Sequence, residues 1–491
     1  MKSALFARIC FWGAPLLALA MGMGGPHMGV DASTSWVLGI GGWMLVWWVA
    51  ESAPLAATSL LPIILFPLSG VMTIAEATTA YGSHYVFLFL GGFLLALALE
   101  KWDLHRRLAW GVLSVAGTSP RRLVGAVMLV SALLSMWISN TATTLMMLPI
   151  AMSILTHWPQ QVPGFVPAML LGTAYAASIG GMATLIGTPP NVAMAGILSE
   201  THGVEIPFLD WMMIATPTAA VLLIFTYFLL TRVIFRLPSH SSGSGLGADW
   251  ISGVQQSLGE WTPAQKRVAW VFVATACGWI VRDPLERWTG LPLSDTGIAV
   301  MAGVLLFLIP AGPESPEGGE GGSEASTIHP RALLQWSDTE RLPWDILLLF
   351  GGGLTLAEAM AQVGLVETIA NGVSGAWSGV GWVPLLVLIT LAIFMTEGMS
   401  NLALTVVMVP VVSGIAVKNG LHPALFAVPI ALASSCAFML PMATPPNAIV
   451  FGSRQIRMSE MIWAGWWLNL FCIAVVFALA VWVLPSWCMR L

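Results

Sequence analysis

Charge is scarce in this chain. Its 19 Lys and Arg and 24 Asp and Glu make up only 9% of 491 residues, leaving a net charge of −5. Nothing in so sparse a set resembles a basic nucleic-acid surface, and no nucleic-acid partner is expected. Catalytic signatures are missing too. No H-E-x-x-H, P-loop or G-x-S-x-G occurs, which removes support for a metalloprotease, an ATPase or a hydrolase of those types. Five cysteines, Cys10, Cys277, Cys436, Cys472 and Cys488, are odd in number and scattered, with no C-x-x-C or metal spacing, so they read as packing residues. The chain is not expected to be an enzyme or to need an organic cofactor.

Apolar residues fill the space that charge leaves. They make up 57% of the chain, with 24 Trp and a mean hydropathy of +0.83, the composition of an all-α polytopic membrane protein whose surroundings include the lipid bilayer. Runs long enough to cross the hydrocarbon lie at about 9–25, 35–50, 53–71, 85–100, 165–199, 211–235, 267–283, 292–311, 345–361, 424–451 and 461–486. The first is read as a retained span, although Ala18-Leu19-Ala20 also resembles a signal cleavage site. Trp47, Trp48, Trp463, Trp466 and Trp467 sit near span ends and read as interfacial belt or packing residues.

Two further apolar stretches, 123–156 and 382–416, are too long and too interrupted for one helix each. Basic residues decide their threading, because Lys and Arg gather on the cytoplasmic side. Lys101, Arg106, Arg107, Arg121 and Arg122 precede the first stretch, and Arg232 and Arg236 follow two more spans, so the first stretch enters and leaves on one side as a hairpin. A second hairpin opening outward at 382–416 closes the count, with 15 of the 19 Lys and Arg inside.

Three blocks recur in order. F-L-F-L-G-G-F-L-L-A-L-A-L-E from Phe87 matches I-L-L-L-F-G-G-G-L-T-L-A-E-A from Ile346. S-N-T-A-T-T-L-M-M-L-P from Ser139 matches S-N-L-A-L-T-V-V-M-V-P from Ser400, and G-T-P-P-N from Gly187 matches A-T-P-P-N from Ala443. The offsets are 260, 261 and 256 residues. The expected organisation is an N-terminal span and loop at 1–34, a first repeat at 35–237 with hairpin 123–156, a cytoplasmic linker at 238–265, and a second repeat at 266–491 with hairpin 382–416, interrupted by an acidic linker at 312–343. An odd number of crossings separates the copies, which makes them inverted-topology repeats. Inverted repeats with interrupted spans point to a secondary transporter whose site lies near the bilayer midplane.

The interruptions explain polar residues such as Ser139, Asn140 and Thr141 in an apolar run. Unwound backbone survives at membrane depth only where protein or a water-filled cavity surrounds it. Helix N-termini there attract anions, and freed carbonyls with Ser, Thr and Asn oxygens suit Na⁺. Pro189-Pro190 and Pro445-Pro446 remove backbone donors and break each half a second time. Glu397, beside the second tip, is a functional candidate because a carboxylate at membrane depth is costly. Thr143, Thr144 and Thr405 read as capping or packing residues.

These paired S-N and T-P-P-N blocks, with W-W-V-A-E-S-A-P from Trp47 and P-W-D-I-L-L-L-F-G-G-G from Pro343, resemble the divalent anion/sodium symporter family over nearly the whole chain. The resemblance implies about eleven transmembrane helices, two re-entrant hairpins, an elevator-type transporter, a homodimer and a bacterial inner (plasma) membrane location. It implies one Na⁺ site from Ser135, Ser139, Asn140 and Gly187 and another from Thr396, Met399, Asn401 and Ala443. Substrate contacts carry over to Asn140, Thr141, Thr188, Pro189, Asn401, Thr444 and Pro445. Leu402 stands where the motif expects a hydroxyl, which shifts anion preference while leaving Ser400 and Asn401 in place.

The function this implies is Na⁺-coupled import of a small divalent anion, a C4-dicarboxylate such as succinate, malate or fumarate. Alternatives are a Na⁺-independent dicarboxylate exchanger, a Na⁺-coupled sulfate or sulfonate carrier, and, from another class, an intramembrane hydrolase using Ser139 or Ser400.

Overall fold

The computed structural model describes residues 2–115, 119–158, 162–239, 258–312, 331–368 and 382–490. Most of the two expected linkers, at 240–257 and 313–330, lies outside the described residues, as does 369–381. The regular elements are helices; the one β feature among the described residues is an isolated bridge between Pro310 and Ala332. Seven described helices are long and apolar enough to cross a bilayer, from Arg8–Met28 to Met458–Cys488, and Pro263–Ile280 with Arg282–Thr289 forms a pair bent by 77°. Other apolar stretches are built from shorter helices: Leu55–Ser69, Asn140–Thr156, Asp295–Leu308, Val383–Met395 and Ala424–Ser434. At 1.5 Å per residue a helix of 10 to 17 residues falls short of a hydrocarbon thickness of about 30 Å.

The chain divides into two compact units. One holds 1–86, 118–245 and 344–491; the other holds 87–117 and 246–343. Contact therefore groups the chain differently from sequence repetition, since both hairpins fall in the larger unit. In the smaller unit, small residues let helices approach closely. A Cβ at Gly91 would lie 2.5 Å from the Ala299 carbonyl carbon, and one at Gly303 would lie 2.8 Å from Leu94 Cδ1. Its polar end is tied by the Lys101 ammonium on Asp338 at 2.6 Å, by Trp102 Nε1 on the Leu333 carbonyl at 2.9 Å and by Gln265 Nε2 on the Trp102 carbonyl at 3.0 Å. Burial pushes the Asp338 carboxyl up, but the Gln335 N–H and the Lys101 ammonium outweigh it and hold the group below the usual carboxylate range.

In the larger unit the element order of one half recurs in the other. Pro120–Ser135, Asn140–Thr156, Phe165–Met182, Pro189–His202 and Phe208–Phe228 correspond to Val383–Met395, Asn401–Lys418, Ala424–Ser434, Pro445–Gly452 and Met458–Ala478. Both series end in a π-helical turn, Leu229–Ile234 and Leu479–Val483. The backbone repeats as well. Ser139 (φ −56°, ψ 145°) and Ser400 (φ −58°, ψ 130°) precede the tip helices, and Thr188 (φ −145°, ψ 142°) and Thr444 (φ −141°, ψ 150°) precede the others. Extended backbone is what a following proline demands, and proline at the first helical position forfeits an N–H that would have no intrahelical partner. The helices interlock across the repeats. Asn140–Thr156 packs on Pro445–Gly452, Asn401–Lys418 on Pro189–His202, and Phe165–Met182 on both Asn140–Thr156 and Pro445–Gly452.

Candidate functional site: two hairpin tips and two helix breaks

At the first tip the chain turns between Ser135 and Asn140. Ser139 Oγ accepts the Ala142 N–H at 3.3 Å, so this serine caps the outgoing helix. The Ser135 hydroxyl donates to Asn140 Oδ1 at 2.7 Å, and the Thr144 hydroxyl donates to the Asn140 carbonyl at 2.8 Å. The second tip repeats both bonds. The Thr396 hydroxyl lies 2.7 Å from Asn401 Oδ1 and the Thr405 hydroxyl donates to the Asn401 carbonyl at 2.9 Å. Each tip thus fixes an amide oxygen against a hydroxyl oxygen, the pairing of neutral hard donors that a sodium ion favours.

The two breaks are held open by the asparagine of T-P-P-N. Asn191 Nδ2 reaches the carbonyls of Gly181, Met182 and Thr184 at 3.3, 3.2 and 2.8 Å. Asn447 Nδ2 reaches those of Ala437 and Leu440, both at 3.1 Å. Both side chains are fully buried, so carbonyls that a broken helix leaves without partners are satisfied from within the protein. Trp211 Nε1 donates to the Met182 carbonyl at 3.1 Å and the Thr216 hydroxyl to the Ala183 carbonyl at 3.1 Å.

Tip and break meet within each repeat. A Cβ built on Gly181 would fall 2.2 Å from Asn140 Oδ1 and 3.0 Å from the Gly187 carbonyl oxygen, so these two oxygens crowd one glycine. The Thr184 hydroxyl also donates to the Met136 carbonyl in the tip turn. In the second repeat the Glu397 carboxylate accepts the N–H groups of Phe438, Met439 and Leu440 at 2.8, 2.9 and 3.0 Å. The Tyr175 hydroxyl donates to the Phe438 carbonyl at 2.8 Å and ties the second break to the helix that leads into the first.

Of the residues expected at the first cation site, Ser135, Asn140 and Gly187 are gathered, and Ser139 caps the helix beside them. At the second, Thr396 and Asn401 are gathered with the Ser434 carbonyl, 2.6 Å from the Thr396 hydroxyl. Met399 is half-buried in the tip turn and Ala443 is buried in the break; among the described residues neither is hydrogen-bonded to Asn401. Thr141, Pro189, Asn140 and Asn401 are half-buried, Pro445 is exposed, and Thr188, Thr444 and Leu402 are buried. Thr444 Oγ1 accepts the Asn447 N–H at 3.4 Å. Sequence reasoning missed Gly181, Thr184, Asn191, Asn447 and Ser434. Only the asparagines carried a signal, their recurrence inside the repeated T-P-P-N.

The donor set is neutral. Among the described residues no three His, Cys, Asp or Glu cluster as metal ligands, and hydroxyl, amide and carbonyl oxygens match a monovalent hard cation better than a transition metal. Four helices begin at these tips and breaks, at Asn140, Pro189, Asn401 and Pro445, and the N-terminal N–H groups of such helices favour an anion. A cavity of about 420 Å³ lined by His202, Glu367 and Lys418 contains no tip or break residue.

A family model described as the sodium:sulfate symporter transmembrane region matches residues 16–489. The chain belongs to that family. As a sodium:sulfate symporter family member it is a multi-pass integral membrane protein. It is 37% identical over 461 residues to the sodium-dependent dicarboxylate transporter SdcS of Staphylococcus saprophyticus, covering 91% of this chain and 86% of that one. It is 36% identical over 469 residues to SdcS of Staphylococcus aureus, covering 92% and 86%. Among solved structures, the Alcanivorax borkumensis YdaH transporter aligns with a TM-score of 0.57 at 14% identity, covering 90% of this chain and 98% of that one. Neisseria gonorrhoeae MtrF aligns with a TM-score of 0.55 at 14% identity, covering 86% and 84%. At that identity the two structures share the fold alone.

Proposed function

We propose that this protein imports a small divalent anion, a C4-dicarboxylate such as succinate, malate or fumarate, together with Na⁺ across a bacterial plasma membrane. The observation that carries the reading is the repeated pair of hydroxyl and amide oxygens, Ser135 with Asn140 and Thr396 with Asn401, each at a tip whose own repeat supplies a broken helix beside it. Family membership and the dicarboxylate transporter relatives support it.

In this reading Ser135, Ser139, Asn140 and Gly187 hold one Na⁺, and Thr396, Met399, Asn401 and Ala443 hold another. Asn140, Thr141, Thr188, Pro189, Asn401, Thr444 and Pro445 line the anion. The cations order the tips and offset the incoming negative charge, which is costly at the midplane. Coupling follows because the anion binds well only to the cation-organised site. The wider arrangement consists of about eleven spans, two re-entrant hairpins in oppositely oriented repeats, a homodimer and an elevator movement.

The test is uptake of labelled succinate and sulfate into proteoliposomes with Na⁺ replaced by K⁺ or choline. Uptake with Na⁺ alone is expected; equal uptake in all three salts refutes the proposal and favours Na⁺-independent exchange. Neither S-N nor T-P-P-N block contains a Lys or Arg to replace the cation. Solute hydrolysis without flux, lost in Ser139→Ala, would favour an intramembrane hydrolase instead.

Leu402 tunes the anion. It is buried, with 5% of its surface exposed, where the first tip presents the half-buried Thr141. A hydrogen bond to a charged group contributes roughly 1.5 to 3 kcal/mol. Leu402→Thr is therefore expected to change the succinate-to-sulfate preference by about tenfold or more, with the Na⁺ activation curve unchanged. A shift confined to Na⁺ would place this side chain on the cation side.

A further inference from the structure

Glu397 is the one Asp or Glu buried among the described residues, 6% exposed. Its carboxylate takes four donors: the Phe438, Met439 and Leu440 N–H groups, and Asn469 Nδ2 at 2.7 Å. Three consecutive N–H groups turned toward one anion form a backbone nest, which satisfies hydrogen bonding with partial charges only. No basic side chain pairs with it among the described residues. A buried anion without a full counter-charge is unfavourable.

The first repeat treats the equivalent position differently. Glu397 corresponds to Met136 at the 261-residue offset that relates Ser139 to Ser400. There the tie between tip and break is the Thr184 hydroxyl on the Met136 carbonyl, one uncharged bond. The two halves therefore share the tip, the break and the hydroxyl–amide pair, but only the second sets a carboxylate underneath. That carboxylate is flanked by Thr396 and lies two residues before Met399; the backbone it holds ends three residues before Ala443.

We propose that Glu397 is a positioning residue for the second cation site: it fastens the second tip to the second break and places a fixed negative charge behind that site, which makes the two cation sites unequal. This rests on the transport reading above. The second site takes Na⁺ first and more tightly, because the cation supplies the positive charge that the nest lacks; the first site has only neutral oxygens. Asn469 holds the carboxylate from the helix Met458–Ala478, and Gly465 of that helix admits the loop, since a Cβ there would lie 2.3 Å from the Phe438 carbonyl oxygen.

The experiment uses the full-length protein in proteoliposomes and in detergent. It reads the Na⁺ concentration for half-maximal succinate uptake, the succinate KM at saturating Na⁺, and the rise in unfolding temperature on adding Na⁺ without succinate. Glu397→Gln is expected to raise the half-maximal Na⁺ at least tenfold and to remove most of the thermal rise, while the succinate KM moves less than threefold. Glu397→Asp keeps the charge but shortens the reach, and is expected to lie between. A folded Gln variant with an unchanged Na⁺ curve overturns the proposal, and so does a parallel loss of Na⁺ and succinate affinity, which marks a merely structural role. If the Gln variant does not fold, the Asp variant decides: a threefold or larger Na⁺ shift at constant succinate KM supports the proposal, and an unshifted curve overturns it. A wild type indifferent to Na⁺ in both assays overturns the transport reading as well, so the two failures are distinguishable.

Discussion

Gly181→Ala is expected to lower Na⁺-driven uptake by about 100-fold or more while the protein still folds. The added Cβ falls 2.2 Å from Asn140 Oδ1 and 3.0 Å from the Gly187 carbonyl oxygen. The first of these atoms ends a flexible side chain, so the fold accommodates the methyl by swinging the Asn140 amide aside. That movement breaks the 2.7 Å bond from Ser135 and withdraws the oxygen proposed above as a cation ligand. A neutral hydrogen bond at roughly 0.5 to 1.5 kcal/mol and a contact to a charged group at roughly 1.5 to 3 kcal/mol together amount to about 3 kcal/mol, or about 100-fold. Gly180→Ala is the control with the opposite signature. Its Cβ meets the Ala132 carbonyl oxygen at 2.3 Å and Cα at 2.5 Å, backbone atoms of the hairpin's incoming arm that cannot turn away, so its loss appears as poor yield and early unfolding. Measuring uptake beside thermal unfolding separates the two. A Gly181→Ala protein with normal Na⁺-driven uptake would show that Asn140 Oδ1 is not a ligand.

The polar tips were legible because Ser139, Asn140 and their copies at Ser400 and Asn401 stand out against apolar neighbours and recur at a constant offset. The same contrast located Thr188 and Thr444, since a Pro-Pro pair can begin a helix but not continue one. Thr143, Thr144 and Thr405 are fully buried; Thr144 and Thr405 each bond the carbonyl of the tip asparagine, and Thr143 Oγ1 has no hydrogen-bond partner among the described residues. Cys436, Cys472 and Cys488 are buried, as packing residues would be, whereas Cys277 is exposed and Cys10 half-buried. Trp48 is fully buried whereas Trp463 and Trp467 are exposed, so residues placed together by their position near span ends differ in role.

What joins distant stretches was not legible. Glu397 was conspicuous as a carboxylate, yet three of its four partners are backbone N–H groups 41 to 43 residues away, which carry no residue signature, and the fourth, Asn469, lies 72 residues away. The bond from Tyr175 to Phe438 spans 263 residues and ends on a carbonyl. Gly181 is invisible for a related reason. One glycine among 49 declares its function only when the oxygens packed against it are seen.

Asn191→Asp is expected to be worse than Asn191→Ala, although aspartate is nearly the same shape. Asn191 directs Nδ2 at three carbonyl oxygens, and its own Oδ1 has no hydrogen-bond partner among the described residues. Alanine leaves those carbonyls without their donor, at about 1 to 3 kcal/mol for each one left unsatisfied. Aspartate replaces the donor with an oxygen, sets an anion against the carbonyls and buries it fully, adding the roughly 3 to 5 kcal/mol of an unpaired buried charge. The expected order of unfolding temperature is wild type, then Ala, then Asp, with Asp giving the lowest yield of detergent-solubilised protein. The same order is expected at Asn447, which clamps the Ala437 and Leu440 carbonyls in the second break. An aspartate variant as stable as the alanine one would mean that these carbonyls do not depend on a donor at this position. The breaks would then be held by something other than these asparagines. If the order holds, the interrupted helices beside Asn140 and Asn401 are braced by one amide in each repeat.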